Sequence, residues 1–263
     1  MFKTLLLEKD DRGVATLRLN RPEKHNAMSG EMLSELIEAS RQISKDPSTR
    51  VVILTGVGKS FCAGGDLAWM RAQRKMEPAL RIREARKLAE MLQALNSLPQ
   101  PLIGKIQGNA FGGGVGMACV CDVAIGFDGL KMGLTETRLG LIPATIGPYV
   151  VSRMGEAKAR RVFMSARIFD AAEAVRLNLL ADSVTASALD DAIENEVEPY
   201  LSCAPRAVAR AKSLIRYLGT PIDDAVVDHT INELVACWQD EESEEGTRAF
   251  FEKRMPTWAQ TDV

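Results

Sequence analysis

Two glycine-rich turns constrain this chain more than any other feature. One is Lys59–Asp66, reading KSFCAGGD, and the other is Gly108–Gly116, reading GNAFGGGVG. Each follows a run that reads as a buried strand, Val51–Thr55 and Pro101–Gln107, and each precedes a helix-like run. Three consecutive glycines weaken a helix start by about 1 kcal/mol each relative to alanine. They make sense where something must approach the backbone closely, either a ligand or a tightly packed strand. Free N–H groups at a helix start favour negative charge. The chain has no GxxxxGK[ST], and its glycines do not fit GxGxxG, which argues against a nucleotide-phosphate cradle. Two such turns aimed at one point would instead hold a developing oxyanion between two backbone N–H groups.

The remaining pattern sets these turns in an α/β layered fold. Thr4–Lys9 and Val14–Leu19 read as a hairpin around Asp10–Gly13. Ser29 is placed to cap a helix over Gly30–Ser44, with Met32, Leu33, Leu36, Ile37 and Ile43 as its apolar stripe. Asp122–Phe127 reads as a further strand. The alternation of strands and helices up to about residue 150 excludes a pure bundle or sandwich. Beyond it the pattern is mostly helical: Glu156–Ala166, Asp170–Leu177, Leu189–Leu201, a helix opened by Pro205 and closed by Gly219, Asp224–Gln239 and Glu244–Arg254. Ala181–Val184 is a last short strand, and Glu198–Pro205 is the least structured break.

Composition narrows the class. A chain of 263 residues buries a full core without staples. A net charge of −2 disfavours general nucleic-acid or membrane-surface binding. The five cysteines form no CxxC pair, and their odd number suits a reducing compartment. The N-terminal apolar run is too short for a signal peptide, and no run is long enough for a membrane span, so a cytoplasmic location is expected. His25 and His229 are the two histidines, too few for most zinc sites or for a Ser-His-Asp triad; no metal site is expected. Both read as surface or capping residues.

K-x-F-x-A-G-x-D at Lys59–Asp66, G-x-A-x-G-G-G at Gly108–Gly114, Cys121-Asp122 before a strand, and E-x-x-x-G-x-x-P at Glu136–Pro143 together resemble the crotonase (enoyl-CoA hydratase/isomerase) superfamily. RPEKHNAM is similar to that family's early loop, and the likeness covers nearly the whole chain. The resemblance implies a ββα spiral core over residues 1–190, and a C-terminal helical region over 191–263 for oligomerisation and closure over coenzyme A. It implies an acyl-CoA thioester as substrate, with coenzyme A as part of that substrate and no separate cofactor. Its carbonyl would sit between the N–H groups of Gly65 and Gly113. Ala63 would meet the adenine through its carbonyl, and Lys24 and Lys59 the CoA phosphates. Phe250 and Lys253 are the candidates for an aromatic and a lysine lent by a neighbouring subunit. A homotrimer or a dimer of trimers is implied.

The proton chemistry falls on Glu136. A two-carboxylate hydratase of this family carries a second Glu two residues after the triple glycine, where this chain has Gly116. One carboxylate leaves two reactions open. Glu136 could activate water toward C3 and return a proton to C2, or shuttle a proton between C2 and C4. Either needs a carboxyl whose pKa is raised by burial. GDLAWM, AFGGGVGMACVCDVAIG and GLIPATIGPYVV are similar to the methylglutaconyl-CoA hydratase branch of leucine breakdown, in which a glycine at position 116 is expected. Such a substrate has a distal carboxylate, for which Arg71, Arg74 and Arg138 are candidate partners. Trp69 either lines the acyl pocket or packs behind it. The cationic run Arg71–Lys87 would admit an RNA-binding reading, but acidic residues interrupt it and no aromatic interleaves. CoA binding without catalysis is a third possibility. The expected activity is that of a lyase, a 2-enoyl-CoA hydratase acting on a branched or dicarboxylic acyl group, with a 3,2-enoyl-CoA isomerase as the alternative.

Overall fold

The computed structural model describes residues 2–260; the Arg74 side chain lies outside what is described. Ten strands and eleven α-helices are formed among these residues. The strands are β1 (Leu5–Lys9), β2 (Val14–Leu19), β3 (Val51–Gly56), β4 (Ser60–Cys62), β5 (Leu102–Ile106), β6 (Asn109–Phe111), β7 (Val123–Phe127), β8 (Lys131–Gly133), β9 (Ile168–Asp170) and β10 (Asp182–Val184). The helices are α1 (Gly30–Lys45), α2 (Leu67–Lys75), α3 (Pro78–Asn96), α4 (Gly113–Val120), α5 (Gly147–Met154), α6 (Glu156–Phe163), α7 (Ala171–Arg176), α8 (Leu189–Ser202), α9 (Pro205–Leu218), α10 (Asp224–Gln239) and α11 (Glu241–Glu252).

The strands form two sheets, ordered β1-β2-β3-β5-β7-β10 and β4-β6-β8-β9. Only the β1–β2 hairpin and the β8–β9 pair are antiparallel. A strand in the large sheet, a strand in the small sheet and then helix recur as β3–β4–α2, β5–β6–α4 and β7–β8–α5. This is a ββα spiral. The three-residue strands of the small sheet lie inside segments that the sequence alone reads as loop, since three residues are too few for a periodic signal. Both glycine turns therefore leave the ends of strands, β4 and β6, and are pinned there.

One large apolar cluster fills the space between the sheets, α1, α3 and α4, with Leu17, Leu54, Phe61, Met91, Leu102 and Met117 fully buried. A second covers the other face of the large sheet, where Leu189, Ile193 and Val197 of α8 meet Val14, Val51, Ile103 and Ile125. The core thus runs through α8, past a boundary at residue 190. α8 also continues to Ser202 with Pro199 inside it, where a break is expected from the sequence. Burial of that apolar face outweighs the hydrogen bond that a proline forfeits. A third cluster joins α10 to α3 through Ala85, Ala89, Ile231 and Val235, so the C-terminal helices fold back on their own core. α11 starts at Glu241, earlier than Glu244, because Asp240 accepts from the Glu242 N–H as its cap.

The Cys121-Asp122 motif is structural. Asp122 Oδ2 accepts from the Leu102 N–H at 2.7 Å and from Lys212 Nζ at 2.6 Å, tying α9 to the head of β5. Lys212 is nearly buried, and burial holds its pKa below the usual lysine value despite Asp122.

Candidate active site

The loop before α1 builds the first turn. Asn26 is fully buried; its Oδ1 accepts from the Arg21 N–H and its amide donates to the Val57 and Ser60 carbonyls. Arg21 donates to the Ala27 carbonyl and pairs with Asp66 at 2.9 Å. Met28 N–H donates to the Gly64 carbonyl, and Asp66 N–H to the Met28 carbonyl. Asp66 in turn caps α2 by accepting from the Ala68 and Trp69 N–H groups. His25 sits in the left-handed region, closes a short 3₁₀ turn, and has its Nδ1 3.1 Å from Ser60 Oγ. That is the expected capping role.

Glycine is required at both turns. Gly64 has φ +93° and Gly112 has φ +50°, where a side chain is strained. A Cβ at Gly112 would lie 2.9 Å from Glu136 Oε1, and one at Gly113 would land on the Met28 methyl. A Cβ at Gly114 would lie 2.5 Å from the Cys62 carbonyl oxygen. Gly114 thus permits tight helix–strand packing, while Gly112 and Gly113 leave room for the Glu136 and Met28 side chains that line the cavity beside them. The N–H groups of Gly65 and Gly113 have no acceptor among the described residues.

Two cavities meet at this point. The inner one, about 110 Å³, is lined among others by Met28, Trp69, Leu88, Leu141–Ile146, Leu234 and Trp238. The outer one, about 420 Å³, is lined by Ala63, Leu67, Phe111, Arg138, Ile168 and Phe250. Gly65, Met70, Gly113 and Glu136 line both. Both candidate oxyanion donors and the candidate base therefore share one wall. Glu136 Oε2 is sealed from solvent with no hydrogen-bond partner among the described residues. Burial pushes its pKa up to about 7, against the opposing pull of its own and the Thr135 N–H groups. Glu136 is the one titratable side chain on the described wall of the inner cavity.

The other expected residues distribute as follows. Trp69 lines the inner cavity, and its Nε1 donates to Glu84 at 3.0 Å. Gly116 does not line either cavity. It is buried behind Ile146, whose Cγ2 would be 2.5 Å from a Cβ there. Phe250 lines the outer cavity of its own chain, rather than being available only to a neighbour. Lys24 and Lys59 are exposed on the segments flanking the first turn, and Lys253 is exposed at the left-handed end of α11. Arg138 lines the outer cavity only, and Arg71 lies over the Phe251 ring at 4.3 Å. No described cation lines the inner cavity. Three members of the cationic run are engaged internally: Arg81 donates to the Gln73 and Trp238 carbonyls, Arg86 pairs with Asp228, and Lys87 with Glu84. Leu234 and Trp238 are cavity residues that sequence reading did not single out, although they share a helical stripe with Ile231 and Val235.

Residues 9–261 match the enoyl-CoA hydratase/isomerase family. A putative enoyl-CoA hydratase of Thermus thermophilus is 32% identical over 247 residues, covering 92% of this chain and 96% of that one. The (E)-benzylidenesuccinyl-CoA hydratase of Thauera aromatica is 32% identical over 251 residues, covering 93% and 95%. The crystal structure of an enoyl-CoA hydratase from Shewanella pealeana superposes with a TM-score of 0.81 at 37% identity, covering 98% of this chain and 97% of that one. The chain belongs to the enoyl-CoA hydratase/isomerase family.

Proposed function

We propose that this member of the enoyl-CoA hydratase/isomerase family adds water across the 2,3 double bond of a short, neutral 2-enoyl-CoA. The reading is carried by one observation: Glu136, with a sealed and unpartnered oxygen, shares a wall with the unengaged N–H groups of Gly65 and Gly113. The thioester carbonyl oxygen accepts from both N–H groups, with the acyl chain in the inner cavity and the CoA arm in the outer one. Ionised Glu136 takes a proton from water as the water oxygen bonds to C3. The C2–C3 π electrons move onto the thioester oxygen as an enolate. Glu136 then returns its proton to C2 and the thioester re-forms. Removing one such donor typically costs about 3–4 kcal/mol of transition-state stabilisation.

Thr145 favours hydration over isomerisation. It lines the same cavity, and its hydroxyl engages no described residue. A water needs at least two polar partners, and with the Gly65 and Gly113 N–H groups given to the thioester oxygen, the Glu136 and Thr145 side chains supply two. Proton shuttling between C2 and C4 needs no water holder. A distal carboxylate, as in 3-methylglutaconyl-CoA, would need a cation that the described inner wall lacks; Arg138 at the outer cavity is the nearest candidate by lining.

The test uses crotonyl-, methylcrotonyl-, methylglutaconyl- and 3-enoyl-CoA esters with the intact protein, Glu136→Gln and Thr145→Val. Hydration should fall steeply in both variants, with acyl-CoA binding retained in Thr145→Val. Isomerisation of 3-enoyl-CoA without hydration of any 2-enoyl-CoA would overturn the reading, and preference for methylglutaconyl-CoA would overturn the neutral acyl group. We further propose assembly as a trimer or dimer of trimers, supported by the exposed Leu214, Ile215, Tyr217 and Leu218 on α9. Light scattering checks it.

A further inference from the structure

The inner cavity draws its walls from two sources. Most come from the spiral core, but Leu234 and Trp238 come from α10. Four residues apart, they stand one above the other on one helix face. Neighbouring positions on that helix, Ile231 and Val235, pack on Ala85 and Ala89 of α3. Neither Leu234 nor Trp238 lines the outer cavity. A group that enters past Gly65 and Gly113 therefore meets them only beyond the reacting carbons. The position of α10 is fixed at both ends. Arg86 of α3 pairs with Asp228 near its start. At its end, Arg81 Nη1 donates to the Trp238 carbonyl at 3.4 Å, while Arg81 Nε donates to the Gln73 carbonyl at 2.8 Å. One guanidinium thus ties the ends of α2 and α10, the two helices that set Trp69, Met70, Leu234 and Trp238 around the cavity.

We propose that Trp238, braced by Leu234, is the floor that limits acyl chain length. This rests on the acyl-CoA reading above. The cavity measures about 110 Å³. A dry apolar cavity of roughly 150 Å³ takes a benzene ring, so this one takes roughly four or five carbon atoms. Trp238 is half-buried, with one side on the cavity and the other toward solvent. Truncating it opens a path outward for a longer chain and does not leave a sealed void.

The experiment measures dissociation constants of the full chain for butyryl-, hexanoyl-, octanoyl- and decanoyl-CoA by calorimetry. These saturated esters bind without reacting, so the readout does not depend on hydration. In the intact protein, affinity should stop improving beyond about six acyl carbons. In Trp238→Ala the octanoyl-to-butyryl affinity ratio should rise at least tenfold. Trp238→Leu and Leu234→Ala should move it the same way by less, and they carry the test if Trp238→Ala does not fold. A ratio unchanged in folded variants overturns the inference and leaves the functional reading standing. An intact protein that already prefers decanoyl-CoA overturns the inference and the short acyl group with it, and leaves hydration through Glu136 standing. Failure of every acyl-CoA to bind overturns both.

Discussion

Replacing Glu136 by Gln should make the protein more stable at alkaline pH while removing its activity. In the unfolded chain the carboxyl ionises near 4.5, and in the folded protein burial moves this to about 7. A raised carboxyl pKa means that the native state keeps a proton that the unfolded state gives up. Stability is therefore lost as pH rises from about 4.5 to 7, and the full penalty stands above 7. The gap is worth about 3 kcal/mol at 1.36 kcal/mol per pKa unit. Gln carries no such penalty, although its amide faces the same lack of partners at Oε2 and forfeits roughly 1 kcal/mol or more. The amide term does not depend on pH, so it cancels in a difference. Urea denaturation of both proteins at pH 5 and pH 8 gives that difference. The stability of Glu136→Gln relative to the intact protein should rise by about 2–3 kcal/mol between the two pH values. Hydration should fall by about 10²–10⁴-fold. If the relative stability does not change with pH, Glu136 is ionised throughout and is not a base poised by burial.

Because the base must be ionised to take a proton from water, kcat/KM should fall as pH drops through about 7; a pH–rate profile flat from 6 to 8 would count against it. Gly114→Ala should destabilise the fold by about 1–3 kcal/mol through the clash with the Cys62 carbonyl, read by urea denaturation. Asp66→Ala removes the α2 cap and leaves Arg21 unpaired in a mostly buried site. It should destabilise by roughly 2–3 kcal/mol and lower kcat as well, since Gly65 precedes it; intact kcat would show that the cap does not position the turn.

Local signals carried much of the architecture. The hairpin, α1 with its Ser29 cap and the two glycine turns follow from turn chemistry, capping and period. Those signals act over a few residues, which is why they are readable. The small sheet was not, because each of its strands is three residues long and is held by partners some twenty to fifty residues away. The break between α2 and α3 at Met76–Glu77 was likewise hidden in a continuous charged run. At the candidate site, Glu136, Gly65 and Gly113 were nominated by motif, and the wall they share is a matter of tertiary geometry. Trp238 and Leu234 carry no motif. A stripe at Ile231, Leu234, Val235 and Trp238 says that a face is buried, not that half of it closes a cavity.

The single carboxylate is enforced by packing. Gly116 has no room for a side chain while Ile146 is in place, and Ile146 is itself a cavity wall. A second carboxylate at 116 would therefore have to displace the group that shapes the acyl space. With one carboxylate, the same group must accept a proton from water and then give one to C2. A carboxyl at its ordinary pKa does the first well enough but is a reluctant holder of the proton for the second. One fully locked in the acid form could not begin. A value near 7 lets one residue perform both halves at neutral pH. Burial is what raises Glu136 to that value, and Ile146, which closes position 116, lines the same cavity. Gly116→Glu alone should then fail to add a working base. Paired with Ile146→Ala, a carboxylate that enters ionised should push the Glu136 pKa further up by like-charge repulsion and so raise its stability penalty above neutral pH. Gly116→Glu raising hydration by itself, with the fold intact, would show that Ile146 does not hold the position closed.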